Sequence, residues 1–418
     1  MKIVHISTHD NKGGAAIGVY RLHKAFIKYG IDSKMIVKIK NARDDNSVIK
    51  AEDYTKLTDK VKNLIKMQKK EGFSIHNSQF GQYSDLDGNF KPSERKEVQE
   101  ADIIYLHWIT GSYICIEEIE NILKMGKPVY WMLHDMFPVT GGCHYSMSCE
   151  KYCETCGTCP LFSTDSRYAY RQLRNKIALR RFDNLEYVVT SKWLEEVAAK
   201  SAVAEGKNIH RIPCCLNIER FKPVDQSVAR KLFNISSSKK VILFGAQSAL
   251  CNYYKGFSFF CEALELLSKR QLHTEEISVL IFGSDYNEDI VKRIPFEIHF
   301  LGHLFDEYSL VMAYNCADIF VMPSLAEAFG QTVIESMACN TPVVGFNVGG
   351  IPDNVNNDTG YLAEYCDSKD LEKGIYTMLY ERNACGMLAH VKRNNAESIV
   401  VKRHMEMWSN KDEGGILE

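Results

Sequence analysis

The chain has 418 residues, enough for two domains with full cores. Hydrophobic residues make up 45% and charged residues 25%, the balance of a globular protein rather than a fibrous or disordered one. The 51 basic and 53 acidic residues leave a net charge of −2, which excludes global attraction to nucleic acid, and no apolar run approaches a membrane span.

The opening Met1–Ser7 lacks the apolar stretch of a signal peptide and reads as a first strand. Strands are expected next at Ser33–Val37, Asp102–His107, Val129–Leu133 and Tyr187–Thr190. The turn Asn11-Lys12-Gly13-Gly14-Ala15-Ala16 opens a helix whose periodicity runs through Val19–Phe26. Its small residues let a ligand approach the backbone, but it is not Gly-x-Gly-x-x-Gly, so a dinucleotide reading lacks its fingerprint. Lys56–Lys70 is basic and amphipathic; it reads as a helix with one packed and one solvated face, or as a segment resting on an anionic membrane. His107-Trp108 and His134-Asp135 each end a strand. An imidazole at such a position can donate a hydrogen bond to a ligand, although a strand-end histidine is more often structural.

A cysteine-rich loop follows. Cys143, Cys149, Cys156 and Cys159 could supply four thiolates to a structural zinc, with Cys153 spare, and Cys156-Gly157-Thr158-Cys159 has the Cys-x-x-Cys turn that chelates it. Buried free thiols or a disulfide are the alternatives. Four thiolates would leave no open position, so such a zinc would not be catalytic. The other cysteines of the fourteen are scattered, with Cys261, Cys316 and Cys339 inside apolar segments, as suits a reducing cytoplasm.

Pro213, Pro223 and the charges near Asn217–Asp225 interrupt the pattern and mark a domain join. A second series of strands follows at Val241–Phe244, Val279–Gly283, Ile298–Leu301, Ile319–Met322 and Pro342–Gly345, with helices at Leu310–Cys316 and Gln331–Cys339. Alternating strands and helices over this length predict two doubly wound parallel sheets. Gly330 stands where a loop turns into a helix, and the unpaired N–H groups there suit a diphosphate. Glu327 and Glu335 flank that point. They suit hydroxyl-rich groups on either side of the phosphates, although helix-entry glutamates also favour the dipole without any ligand.

The ordered series Pro323-Ser324, Glu327, Phe329-Gly330, Glu335, Thr341-Pro342-Val343-Val344 and Gly349-Gly350-Ile351-Pro352 resembles the signature of retaining family 4 glycosyltransferases, of the bacterial surface-polysaccharide type. The resemblance implies the α/β GT-B architecture, two Rossmann-like domains facing a cleft, here 1–220 on the acceptor side and 221–396 on the nucleotide-sugar side. A last helix over 397–418, with Ser398–Trp408 as its core, would cross back to the first domain. It implies that Glu327 binds the donor sugar, Glu335 the ribose, and that Lys255, opening a helix with Gly256-Phe257, neutralises the diphosphate. Gly13, Gly14, Gly302, Phe329, Gly330, Gln331 and Thr332 would complete the donor site, with Leu301 and Gly302 near the base and His134 near the sugar. Many members carry an Arg directly after the strand glycine; here Gly245 is followed by Ala246-Gln247, a departure. Some bacterial members also share the Thr-Gly-Gly-Cys-His-Tyr run before a Cys-x-x-Cys-Pro.

The implied activity is retaining transfer of a sugar from a nucleotide-diphospho-sugar to a glycan or lipid-linked acceptor, with His134, Lys255 and Glu327 as catalytic residues. No cofactor is required for it. The implied setting is the cytoplasm or the inner face of the membrane. A nucleotide-sugar epimerase of the same architecture, or a weakly catalytic nucleotide-sugar-binding partner of another transferase, are the alternatives.

Overall fold

The computed structural model describes residues 1–51, 82–162, 167–245, 252–270 and 274–412. The basic run Lys56–Lys70 and the Ala246-Gln247 departure lie outside them. Two compact units emerge, Met1–Pro213 with Val401–Glu418, and Cys214–Val400. The divisions fall at 213/214 and 400/401, against the expected 220/221 and 396/397.

Unit 1 is built on seven parallel strands: β1 (Lys2–His9), β2 (Asp32–Ile39), β3 (Val48–Lys50), β4 (Ile103–Leu106), β5 (Val129–Leu133), β6 (Leu185–Val189) and β7 (Ile209–Arg211). Their order is β3-β2-β1-β4-β5-β6-β7. Every residue of β4, β5 and β6 is buried. That is why these strands read as largely apolar runs, Glu186 of β6 apart: helices cover both faces of a parallel sheet. The edge strands β3 and β7 have three residues each and are partly exposed, which leaves no such run to read. Within this unit the helix Glu397–Asp412 contributes His404 and Trp408. Tyr105 OH bonds His404 Nδ1 at 2.8 Å, and Trp408 Nε1 donates to the same hydroxyl at 3.0 Å.

Unit 2 has six parallel strands: β8 (Lys240–Gly245), β9 (Ile277–Phe282), β10 (Glu297–Gly302), β11 (Ile319–Met322), β12 (Val343–Phe346) and β13 (Gly360–Ala363), ordered β10-β9-β8-β11-β12-β13. Alternate residues feed two cores, as a period of two requires. Leu243, Phe320 and Val343 pack on one side, and Ile242, Val321 and Val344 on the other. The unread strand β13 begins at Gly360, where a Cβ would lie 2.1 Å from the Val343 carbonyl oxygen. Glycine is needed for that approach and weakens the strand signal. The two doubly wound sheets expected of a GT-B protein are thus both present. Among the described residues no helix is long and apolar enough to cross a membrane.

Candidate active site

In unit 2 the strand order reverses between β8 and β11, and the loops leaving both therefore emerge side by side. This brings together residues far apart in sequence. Lys255 follows β8, Glu327 follows β11, and Lys255 Nζ lies 2.9 Å from Glu327 Oε2. Their side chains are 25% and 14% exposed. Glycines set the pair. Gly256 has φ 66°, and a Cβ on it would lie 1.7 Å from the Pro323 carbonyl oxygen. Gly349 has φ 58°, and its Cβ would meet the Glu327 carbonyl oxygen at 1.9 Å. The next amide, Gly350 N, donates to that same oxygen at 2.9 Å. The Gly349-Gly350 turn thus grips the backbone of Glu327, and Gly256 seats the lysine loop on Pro323.

Directly after Phe329 the chain turns at Gly330, with φ 88°, into the helix Gln331–Ala338. The helix starts with no side-chain cap and no acidic residue in its first turn. Backbone N–H groups of a first helical turn and the positive end of the helix dipole suit an anion.

The structure distributes the other expected donor residues unequally. Gln331 and Thr332 are half-buried in the first turn, and Thr332 Oγ1 points to Met322 Sδ at 3.4 Å. Phe329 is 5% exposed and belongs to the core cluster that holds Met322, Val333 and Ile334. Glu335 is 4% exposed, and its Oε2 accepts a hydrogen bond from Tyr314 OH at 2.9 Å. Sequence reasoning misses Tyr314, which looks like one more apolar position of its helix. Gly302 has φ 65°, accepts from Gly283 N at 2.7 Å, and has open space where a Cβ would stand. Leu301 beside it packs against the core.

In unit 1, Gly13 with φ 96° precedes the helix Gly14–Lys28, and Gly14 has open space at its Cβ position. The sheet order places β1, β4 and β5 next to one another. Three histidines line up across them. His5 Nδ1 is 2.9 Å from His107 Nε2, and His107 Nδ1 is 3.0 Å from His134 Nε2. Burial holds all three below the usual histidine range, well below it for His5 and His107 and at about 4 for His134. They are neutral at physiological pH. The sequence singles out His134 and points to His107; His5, inside a strand, gives no signal.

Next to His134, Asp135 Oδ2 meets His144 Nδ1 at 2.5 Å, and His144 Nε2 meets Ser84 Oγ at 2.8 Å. Burial pushes the Asp135 carboxyl up, but the attraction and hydrogen bond of His144 and the Phe137 N–H outweigh it, so it sits below its usual value. The Ser-His-Asp order invites a nucleophile reading. However, Ser84 N is spent on Gly142 O and Gly142 N on Thr140 Oγ1. Neither amide is open to an oxyanion, and the trio ties Ser84 to His144 and Asp135.

Cys143, Cys149, Cys156 and Cys159 do line one cavity, of about 20 Å³. Yet among the described residues no three His, Cys, Asp or Glu groups are placed to hold a metal ion, and these four cysteines form no disulfide. Burial pushes the Cys143 thiol up to about 12 and Cys156 to about 11. Lys176, also missed, lies wholly buried beside this loop and donates to the carbonyls of Phe137 and Thr140.

Residues 239–381 match the family model described as glycosyl transferases group 1. The chain is 32% identical over 142 residues to a sulfoquinovosyl transferase of Arabidopsis thaliana, covering 32% of this chain and 28% of that protein. It is 28% identical over 205 residues to N,N'-diacetylbacillosaminyl-diphospho-undecaprenol alpha-1,3-N-acetylgalactosaminyltransferase of Campylobacter jejuni, covering 46% of this chain and 52% of that one. These matches therefore span about half or less of the curated relatives. Among solved structures, HepE of Anabaena in complex with UDP and glucose aligns with TM-score 0.63 at 16% identity, over 98% of this chain and 99% of that one. A sucrose-phosphate synthase of Thermosynechococcus elongatus aligns with TM-score 0.65 at 18% identity, over 99% and 100%. At such identities the structures speak for the fold.

Proposed function

We propose that this chain, which over residues 239–381 belongs to the group 1 glycosyl transferases, moves a sugar from a nucleotide-diphospho-sugar to a glycan or lipid-linked acceptor with retention of configuration. The observation that carries this is the Lys255–Glu327 pair, set by glycines beside the uncapped start of the helix Gln331–Ala338. The helix N–H groups would take the diphosphate. Lys255 would meet the charge that grows on it as the glycosidic bond breaks, the kind of stabilisation that speeds the chemical step. Glu327, an acceptor only, would hold sugar hydroxyls, and Glu335, oriented by Tyr314, would hold the ribose. The departing phosphate can accept the acceptor's proton on the face it leaves. His134 would donate to a sugar hydroxyl. Gly13 and Gly14 would leave room for ligand at the first helix of unit 1.

The UDP bound by HepE makes UDP-sugars the first donors to try. The diphospho-undecaprenol in the name of the Campylobacter relative supports a lipid-linked acceptor. The test is a panel of nucleotide sugars given to the purified chain in chelator, with nucleotide release and product NMR as readouts. One donor should be consumed, with the anomeric configuration kept in the product. An inverted product would overturn retention. Donor interconversion without release would make the chain an epimerase, and binding without turnover would make it a partner of another transferase.

A further inference from the structure

We propose that His5, His107 and His134 form a polarised file that presents His134 to its ligand as a fixed hydrogen-bond donor through Nδ1. A neutral imidazole carries one N–H and one acceptor nitrogen. The two contacts, at 2.9 and 3.0 Å, each need one donor and one acceptor. His107 sits in the middle, so only two patterns satisfy both contacts with neutral rings.

In the first, every ring carries its proton on Nδ1. His5 donates to His107, His107 donates to His134, and the proton of His134 is left on Nδ1. In the second, every ring carries its proton on Nε2, and the file runs backwards into the core. The two differ at the buried end. His5 Nε2 is buried and has no partner among the described residues. Its ring is packed against Phe26 and Tyr105 at 5.5 and 5.2 Å between centroids. The second pattern puts an N–H on that atom; the first leaves it a bare lone pair. Buried donors without acceptors are rarer than acceptors without donors, so the first pattern is preferred.

The consequence is chemical. His134 offers a hydrogen to whatever stands at Nδ1, so its ligand must supply an acceptor, such as a hydroxyl or phosphate oxygen. It is not a base in this state, because its remaining lone pair is engaged by His107. His107 and His5 act through it and are positioning residues. The identity of the ligand as a sugar rests on the proposed function; the protonation pattern does not.

Long-range proton–nitrogen correlation on the full chain labelled with ¹⁵N-histidine reads the pattern directly, with each ring assigned by the signal lost in its own variant. The expected result is a proton on Nδ1 of all three rings. A proton on Nε2 of His134, or an even mixture of the two forms, would overturn the proposal. His107→Phe removes both contacts and should leave His134 as a mixture, with turnover down about tenfold through lost orientation and acceptor KM little changed. His107→Asn returns an amide donor near the Nδ1 position and should recover most of the loss. A His107→Phe variant that folds and keeps a pure Nδ1–H on His134 would refute the role of His107. If no sugar is transferred by any variant, the function fails while the NMR result still decides the file.

Discussion

The two units share one architecture and treat charge in opposite ways. In unit 2 the candidate groups Lys255 and Glu327 form a salt bridge between loops, partly open to solvent. In unit 1 the corresponding strand ends carry histidines held neutral by burial, continuous with a core that also contains His23 and His404. A loop cation can be spent on a leaving diphosphate. A buried neutral ring can only hold a direction, and it makes its unit sensitive to acid.

The largest expected effect follows from that. The folded-state pKa values of His5, His23, His107, His134 and His404 are all lowered by burial, to about 4 for His23 and His134 and about 3 for His404. The unfolded chain takes up protons near pH 6.5, where the folded one does not. Stability therefore falls as pH drops below about 6.5 and continues to fall toward pH 4, by about 1.4 kcal/mol per pH unit for each such histidine. Several together can exhaust the roughly 5–15 kcal/mol of a typical domain. All four tryptophans, Trp108, Trp131, Trp193 and Trp408, belong to unit 1. Tryptophan fluorescence should accordingly record unfolding between about pH 6 and pH 4, while the nucleotide binding proposed for unit 2 should persist further into acid. Simultaneous loss of both signals would break the comparison.

Lys255→Ala tests the other side. Removing a preorganised charge from a leaving group costs about 10²–10³ in turnover. The same change leaves Glu327 without its cation beside the helix start proposed to take the diphosphate, so UDP affinity should fall too. The double variant Lys255→Ala with Glu327→Ala should recover UDP affinity, measured by calorimetry, but not turnover. Full turnover in Lys255→Ala would remove charge from the account of unit 2.

How much of this is legible in the sequence depends on the same contrast. The central strands can be read because both faces are buried and their runs are mostly apolar. The loops that follow β8 and β11 can be read because glycine, lysine and glutamate at fixed spacing leave a visible pattern. The edge strands Val48–Lys50 and Ile209–Arg211 are too short to carry one. His5 and Tyr314 are not legible because each acts through a partner distant in sequence, His107 and Glu335, and looks locally like any core position. Phe329 belongs to the signature by spacing and to the core by packing, which spacing alone does not tell. The cysteine spacing predicts convergence, which occurs around one cavity, but spacing does not fix sulfur positions to ligand distance.

Glu335 is where unit 2 adopts the manner of unit 1, with a buried group held by a buried neighbour. Tyr314→Phe tests it with the smallest expected effect. The ring's edge-on contacts with Phe282 and Phe320, at 6.0 and 5.5 Å, would remain, and only the hydroxyl is lost. A hydrogen bond to a charged group contributes about 1.5–3 kcal/mol, so thermal stability should drop measurably. UDP affinity should fall only about threefold, because Glu335 stays in place and loses orientation rather than charge. Glu335→Gln, which loses the charged acceptor itself, should cost about tenfold to a hundredfold on the same scale. Calorimetry with UDP on both variants separates the two roles. A drop in melting temperature with unchanged UDP affinity in both would make the Tyr314–Glu335 pair a packing device, and the ribose would need another acceptor.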